Sequence, residues 1–550
     1  MTARTALKYY HTVKYLQPVQ TFGRLYAVLK EKLPIAKIPD TPPGNLQSRP
    51  LKILTDFIDH DTGNSRENIL SGTFTFLNRC AVLGYPGVNW SYSDAGLLWS
   101  YNLHYFNYLF RLTEQEKISL CAGWTEQNKN TDTTGWQAYP LSLRIVNWCK
   151  CGFSDERILR SLYRQTAYLY RHLEFYHPAN HYLENAKALI FAGLLFDGTG
   201  ESGEWLKKGV EIIDTENRRQ IHEDGAYFEL TPMYHSIILN GYLDLLNIIP
   251  AVGDSRLAAF RKSLTAAAEK MTDYLYSVTH PDGTLPLFND STHEIAPPPR
   301  QLITYAEKIL NYKPVLKNEF SNAGHYVMRH GEIFLIIDGG QLGPDNIPAH
   351  AHADIFNYEL SAGGEKFIVD SGVYEYIPGE MRSYCRSTSA HNTLTIDGCD
   401  QAECWGGFRV ARRYKPESVS FIESADGIKR FSGKFTGYSK LIGDSLVHTR
   451  TVELNERSRE IRITDIVEGS RSHLAESRLH LHPSVSIAAS GDGIKISRGI
   501  SSLKIIPLSG QLKTETGWYC PEFGVRLQNK VINIYAEKNP PISISYLIRY

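Results

Sequence analysis

The hydrophobic period of the chain changes between Lys313 and Gly324, and one kind of secondary structure cannot serve both sides of that change. From about residue 90 to 315, apolar residues recur three and four apart. Ile158, Leu159, Leu162, Tyr163, Leu169, Tyr170 and Leu173 form one such series. Leu189, Ile190 and Leu194-Leu195-Phe196 form a second, and Ile237, Ile238, Leu245, Leu246 and Ile249 a third. Beyond Gly324 the period shortens. Ile333-Phe334-Leu335-Ile336-Ile337 reads as a buried strand stopped by Gly339-Gly340, Ile461, Ile463 and Ile466 belong to another, and Ile542 to Tyr550 alternate as a half-buried strand does.

A chain of 550 residues is too long for one core. The expectation is an α+β multidomain protein, with helices first and an antiparallel β-sandwich second. Residues 1–85 would be a packing segment, 86–316 the helical domain and 317–550 the sandwich. Pro34, Pro39, Pro42, Pro43 and Pro50 punctuate the leading segment, and residues 51–85 mix strand and turn signals.

The most informative polar stretch is Pro348-Ala349-His350-Ala351-His352-Ala353-Asp354, just inside the β part. In an extended segment residues i and i+2 share a face, so His350 and His352 would project together among small neighbours. Such a pair suits a metal, a proton relay or one of each, and equally a pair of hydrogen-bonded structural histidines. His352, Asp370 and His391 make a two-histidine, one-carboxylate set that zinc accepts with water as fourth ligand.

The helical part adds further candidates. Asn102 and His104 sit between aromatic residues in Trp99 to Phe106, which fits either a sugar-binding face or an aromatic core. Arg144 follows a loop that feeds a helix and is open between a substrate carboxylate and an ordinary ion pair. Asn180 stands where an N-cap is expected, and its amide is equally placed to donate to a substrate carboxyl group, with His181 as its near neighbour. In Glu229-Leu230-Thr231-Pro232-Met233-Tyr234-His235, Thr231 reads as N-cap and Pro232 as the first helical residue. Tyr234 and His235 then fall in the first turn, where the helix dipole would lower a phenol's pKa and suit it to proton transfer. In the β part, Arg382 and Arg386 bracket Cys385.

Lysine plus arginine equals aspartate plus glutamate at 59 each, so bulk charge gives no case for nucleic acid, and an acidic polymer would need a local basic groove. None of the eight cysteines forms a CxxC pair, which reads as mostly free thiols and a reducing compartment. Met1 to His11 lacks a signal peptide's apolar run, and no window reaches the length of a membrane span. The expected location is cytoplasmic as given, and periplasmic or secreted if a leader is missing.

Taken together, Asn102-Leu103-His104, Asn180-His181, Glu229 to His235, Ala349 to Asp354 and Ser389-Ala390-His391-Asn392-Thr393 resemble the heparinase II/III family of polysaccharide lyases. The resemblance runs from about Trp99 to about Arg412. It implies an incomplete (α/α) toroid followed by an antiparallel β-sandwich. It also implies β-elimination at a uronic acid of a polymer such as heparan sulfate, hyaluronan or chondroitin. By the same resemblance Asn180 (or His181, or Asn185, the register being open) neutralises the uronate carboxylate, Tyr234 is acid and base, and His350 is the second base. Asn102, His104, Arg144, His181, Glu229, His235 and Arg386 would contact substrate. His352, Asp370 and His391 would correspond to a structural zinc, with no organic cofactor, and the partner is an acidic polysaccharide or oligosaccharide.

Two other readings stay open. A glycoside hydrolase needs two carboxylates flanking the bond, for which Asp224 and Glu229 are candidates. A non-catalytic carbohydrate-binding factor of surface-polysaccharide biosynthesis would keep the fold and bind without turnover.

Overall fold

The computed structural model describes residues 3–31, 43–44, 46–60, 63–249 and 255–550; Met1, Thr2, Pro34, Pro39 and Pro42 lie outside them. The chain opens with α1 (Ala3–Val13), α2 (Pro18–Glu31) and α3 (Arg66–Leu70), followed by a small hairpin of β1 (Thr73–Phe76) and β2 (Arg79–Val82). Among the described residues, nine α-helices follow before the β part: α4 (Leu97–Tyr105), α5 (Glu114–Gln127), α6 (Ala138–Cys151), α7 (Glu156–Arg171), α8 (Asn180–Leu195), α9 (Ser202–Gln220), α10 (Pro232–Ile248), α11 (Ser255–Val278) and α12 (Pro299–Leu310).

These helices alternate between two layers. α4, α6, α8, α10 and α12 touch one another in succession, and α5, α7, α9 and α11 pack outside them. The result is an incomplete (α/α) toroid. Composition follows the layers. α8 and α10 are apolar nearly all round and bury most of their residues, whereas α7 keeps a charged face outward and buries Ile158, Leu159, Leu162 and Leu169. No helix among the described residues is long and apolar enough to cross a membrane.

The β part begins with a five-stranded antiparallel sheet in sequential order: β3 (Glu319–Phe320), β4 (His325–His330), β5 (Ile333–Asp338), β6 (Asn357–Ala362) and β7 (Glu365–Ile368). Every residue of β5 is buried because both faces of the strand are covered. Ile333, Leu335 and Ile337 join the sandwich core, while Phe334 and Ile336 pack against Tyr274 and Val278 of α11. This shared strand fixes the β part against the toroid. Gly324, at φ 79°, lets the β3–β4 turn approach Gly340, where an added Cβ would come within 2.2 Å of the Gly340 Cα.

After α13 (Glu380–Cys385) come β8 (Leu394–Ile396) and the short hairpin of β9 (Cys404–Trp405) and β10 (Arg409–Val410). The chain continues through β11 (Glu417–Glu423), β12 (Ile428–Phe435), β13 (Val447–Asn455), β14 (Glu460–Glu468), β15 (His473–His480) and β16 (Ser486–Ser490). It ends with β17 (Gly493–Arg498), β18 (Ser501–Ser509), β19 (Gln511–Tyr519), β20 (Leu527–Lys538) and β21 (Ile542–Arg549). The order β11-β12-β13-β14-β21-β18-β17-β16 makes an eight-stranded sheet, and β19-β20-β15-β8 a four-stranded one. Ile461, Ile463, Ile532, Ile534, Ile544 and Ile548 from these two sheets share one core with β5, giving an antiparallel β-sandwich. All eight cysteines are free thiols.

Candidate active site

A cleft of about 1430 Å³ lies between the toroid and the loops of the β part. Its helical wall is made by the inner helices, and α6, α8 and α10 present their N-terminal turns to it. Tyr101 and Asn102 come from α4, Tyr139 from α6, Asn180 and His181 from α8, and Tyr234 from α10. Several positive helix ends therefore face one space, a setting that favours an anionic ligand.

At the α10 end, Thr231 is the N-cap and Pro232 the first helical residue, as their order in sequence requires. Tyr234 then points at the β part. Its ring centroid is 4.1 Å from that of His350, and its hydroxyl is 3.1 Å from the hydroxyl of Tyr376. Against the expectation from the helix dipole, the Tyr234 pKa is raised well above its ordinary value. Burial is the main cause, with Tyr376 and the Glu229 and Asp290 carboxylates adding to it. The resting group is a phenol.

His350 and His352 lie in a loop rather than a strand, yet they converge on one carboxylate. His350 Nδ1 is 3.0 Å from Asp290 Oδ2, and His352 Nε2 is 2.8 Å from Asp290 Oδ1. Arg382 of α13 completes the group: its Nη2 donates to Asp290 Oδ2 at 2.9 Å and its Nη1 to Oδ1. Burial alone would raise the Asp290 pKa; Arg382 and the two histidines outweigh it and hold the carboxyl well below its usual range. With Nδ1–H given to Asp290, His350 keeps Nε2 as its basic nitrogen. His350 lines the cleft, and His352 is fully buried behind it. Asp290 and Tyr376 carry no local pattern in the sequence. Asp290 sits in Asn289-Asp290-Ser291-Thr292, and only the fold brings it to the histidines.

At the α8 end the N-cap is Ala179, and Asn180 is the first helical residue. Asn180 Oδ1 accepts from His181 N at 2.9 Å, and no acceptor for its Nδ2 is found among the described residues. His181 stacks on Tyr139 at 4.2 Å, and its Nδ1 is 3.2 Å from both oxygens of Glu174. Burial works against its charged form, but Glu174 prevails and raises its pKa. Asn185 is occupied elsewhere: its amide donates to Ser142 Oγ and its oxygen accepts from Glu174 N. Asn180 and His181 both line the cleft, and Asn185 does not.

Of the expected substrate contacts, Asn102 and Glu229 also line the cleft. Asn102 Nδ2 donates to Leu98 O at 2.8 Å, and burial raises the Glu229 pKa. Four others are corrected. His104 is buried, accepts from Trp124 Nε1 at 3.0 Å, and burial lowers its pKa to about 3. Arg144 is buried 3.8 Å over the Trp124 ring, donates to Gln165 and to His104 O, and does not line the cleft. His235 points into the core, bonded to Tyr227 N and Met271 O, because one residue along a helix turns the side chain by about 100° from Tyr234. Arg386 is buried and holds the Ala351 and Gly407 carbonyls; Arg382, one turn earlier, reaches Asp290. Asp224 is tied to Ala226 N, Asn322 N and Ala323 N, so it forms no carboxylate pair across the cleft with Glu229.

Behind His352 is a second buried group. Ligand atoms of Asp354, Asp370 and His391 lie within 4.8 Å of one another. Asp354 was missing from the expected set, and His352 stands beside the three, its ring 5.3 Å from that of His391. His352 Nδ1, Asp354 Oδ2 and His391 Nε2 are buried without hydrogen-bond partners. Burial pushes the Asp354 carboxyl up to about 8, and the neighbouring Asp338 and Asp370 carboxylates add to the rise.

The heparinase II/III N-terminus family matches residues 153–314, and the heparinase II/III-like C-terminal family matches residues 313–546. The chain belongs to the heparinase II/III family. Heparin-sulfate lyase of Pedobacter heparinus is 29% identical over 266 residues, 44% of this chain and 39% of that protein. Heparin-sulfate lyase of Bacteroides stercoris is 25% identical over 411 residues, 67% of this chain and 56% of that protein. The chain therefore spans roughly two fifths to just over half the length of these relatives. The crystal structure of heparinase III superposes with a TM-score of 0.68 at 17% identity, covering 93% of this chain and 86% of that one. Heparan sulfate lyase HepC from Pedobacter heparinus gives 0.58 at 18%, covering 96% and 87%. These likenesses show the toroid-plus-sandwich fold. The zinc that a heparinase II/III resemblance implies fits the donor set present here. The orphaned His352 Nδ1, Asp354 Oδ2 and His391 Nε2, with the Asp370 carboxylate beside them, are groups that a divalent cation satisfies.

Proposed function

We propose that the protein is a polysaccharide lyase that breaks the bond to O4 of a uronic acid by β-elimination. The observation that carries this reading is the pairing of Tyr234 and His350 in one cleft, with Asp290 and Arg382 holding the histidine from behind. Elimination needs a base at C5, a donor to the departing O4 and a partner for the carboxylate. His350 Nε2 takes the C5 proton. The electron pair forms the C4–C5 double bond, the C4–O4 bond breaks, and the Tyr234 phenol gives its proton to O4. The raised Tyr234 pKa supports the acid role, since the phenol is the resting form.

Negative charge builds on the uronate carboxyl group as C5 loses its proton. The free amide of Asn180, the positive end of α8 and a His181 biased toward its charged form by Glu174 meet it there. Where the epimer places the C5 proton on the Tyr234 side, the tyrosine serves both steps. Zinc at Asp354, Asp370 and His391, with His352 adjacent, would cross-link three loops and so stiffen the backbone that carries His350. No organic cofactor is needed.

Relatives that are heparin-sulfate lyases put heparan sulfate first among the polymers to test, followed by heparin, hyaluronan, chondroitin and alginate-type chains. The readout is ultraviolet absorbance from the new double bond. A rise with any uronate polymer, absent in Tyr234→Phe, is the expected result. Reducing ends without a double bond would replace the lyase with a hydrolase, and binding without either product would leave a carbohydrate-binding factor.

A further inference from the structure

α1 and α2 lie across the cleft and hold both of its lips. On the β side, Trp405 Nε1 donates to Thr12 Oγ1 at 3.2 Å, and Gln20 Nε2 donates to Asn346 O at 3.0 Å. Tyr9 meets the Trp405 ring edge-on at 4.8 Å, and Arg413 lies 3.8 Å over Tyr15. On the toroid side, Gly23 sits against the loop before α8 so closely that an added Cβ would come within 2.8 Å of Phe175 and Tyr176. Lys30 Nζ donates to Arg171 O at the end of α7. A pair of helices anchored on two lips is a bar across the groove. Thr12, Val13, Leu16, Gln20 and Arg24 on that bar line the cleft wall.

The charges of the cleft point the same way. Lys150 is paired with Asp244, Lys187 with Glu184 and Arg79 with Glu375. Arg24 and Arg409 also line the cleft, both are exposed, and neither has a carboxylate partner among the described residues. Arg409 packs over Tyr9 of α1 and Trp405, and Arg24 is close enough to His177 to depress its pKa, after burial and His181. Among the described residues, the arginines of this cleft without a carboxylate partner therefore lie on or against α1 and α2.

We propose that α1 and α2 close one end of the cleft, so that the polymer enters by a chain end, and that Arg24 and Arg409 bind the acidic group of the sugar lodged there. This rests on the lyase reading and adds its mode of action. An open groove admits the middle of a polymer; a barred one admits only a terminus. The protein then releases short unsaturated products of uniform length and leaves the remaining polymer long.

The test follows double-bond absorbance and polymer mass together, by size-exclusion chromatography, with the uronate polymer that gives product. The expected wild-type result is rising absorbance with slowly falling mass. Gly23→Trp forces α2 off the toroid lip and is expected to bring early loss of polymer mass at equal absorbance. Because that variant could misfold, Arg24→Ala/Arg409→Ala on the exposed surface is the second arm. It is expected to raise KM for short oligosaccharides by about tenfold with kcat nearly kept, as lost charge-assisted contacts predict. Early collapse of polymer mass with the wild-type chain overturns the end-entry inference while leaving the lyase standing. An arginine double variant with unchanged KM overturns the assignment of Arg24 and Arg409 to the lodged sugar. No double bond from any uronate polymer overturns the lyase reading and this inference with it.

Discussion

The hydroxyls of Tyr234 and Tyr376 lie 3.1 Å apart, one on the toroid and one on a loop of the β part, and a hydrogen bond joins them. In the proposed mechanism, proton transfer at Tyr234 would therefore be coupled to the position of the β domain. Tyr234→Phe is expected to lower kcat by about 10²–10⁴-fold, the usual share of a general acid. Tyr376→Phe, which removes one hydrogen bond to the acid, is expected to cost about tenfold. Steady-state kinetics on the best polymer check both, and full turnover in Tyr234→Phe would end the assignment.

Asn180 presents an amide with no acceptor among the described residues at the start of α8. In the proposed mechanism this amide meets charge that develops during reaction, so Asn180→Ala is expected to lower kcat by about 10²–10³-fold. A variant that keeps kcat and loses only in KM would place the amide outside the reaction.

Asp290 neutralises Arg382 and orients two histidines with no exposure to solvent. Asp290→Asn leaves the Arg382 charge buried and unpaired, which is expected to cost about 3–5 kcal/mol in denaturant unfolding. The double variant Asp290→Asn/Arg382→Met removes that stranded charge and should recover part of the loss. A single variant as stable as the wild type would show that the guanidinium finds water instead.

His104 and His235 are buried and neutral, with pKa values lowered to about 3 by burial first. In the unfolded chain each titrates near the ordinary histidine value of 6.5. Between those limits the unfolded state binds more protons, so stability falls as pH drops from 6.5 toward 3. The slope is about 1.4 kcal/mol per pH unit for each group. Above pH 6.5 these two histidines add no pH dependence. His235→Gln should flatten the acid limb in unfolding experiments from pH 7 to 4, and an unchanged slope would mean that His235 is already charged in the folded protein.

The donor set around Asp354, Asp370 and His391 should retain about one zinc per chain through purification, read by elemental analysis. A chelator should lower the melting temperature, and Asp354→Asn should lower the bound metal. Metal-free protein whose melting temperature ignores both treatments would show that the buried carboxyl groups are satisfied by their own protons.

Much of the scaffold was legible in local residues. Thr231-Pro232 marks the start of α10 because an N-cap followed by proline suits the unpaired N–H groups of a first turn. Ile333 to Ile337 marks β5 because every position is apolar and the two glycines that follow stop it. The cleft residues divided by depth. Asn180, Tyr234 and His350 reached the cleft, whereas His104, Arg144, His235 and Arg386 went into the core beside it. Polar identity does not reveal depth. Residue type alone does not separate a buried histidine that accepts from a tryptophan, such as His104, from one that lines the cleft, such as His350.

Asp290 shows why the remainder needed the fold. It lies 60 residues before His350 and 92 before Arg382, and nothing in its own neighbourhood distinguishes it from a loop aspartate. What the sequence by itself determined was the type and order of the elements, because period, caps and turn residues act over a few neighbours. Tertiary structure alone decided which polar groups share one buried carboxylate, which helix ends face the same cleft and which lips α1 and α2 hold together. Those outcomes depend on desolvation and charge pairing between groups far apart in the chain, and both are set by distance in space.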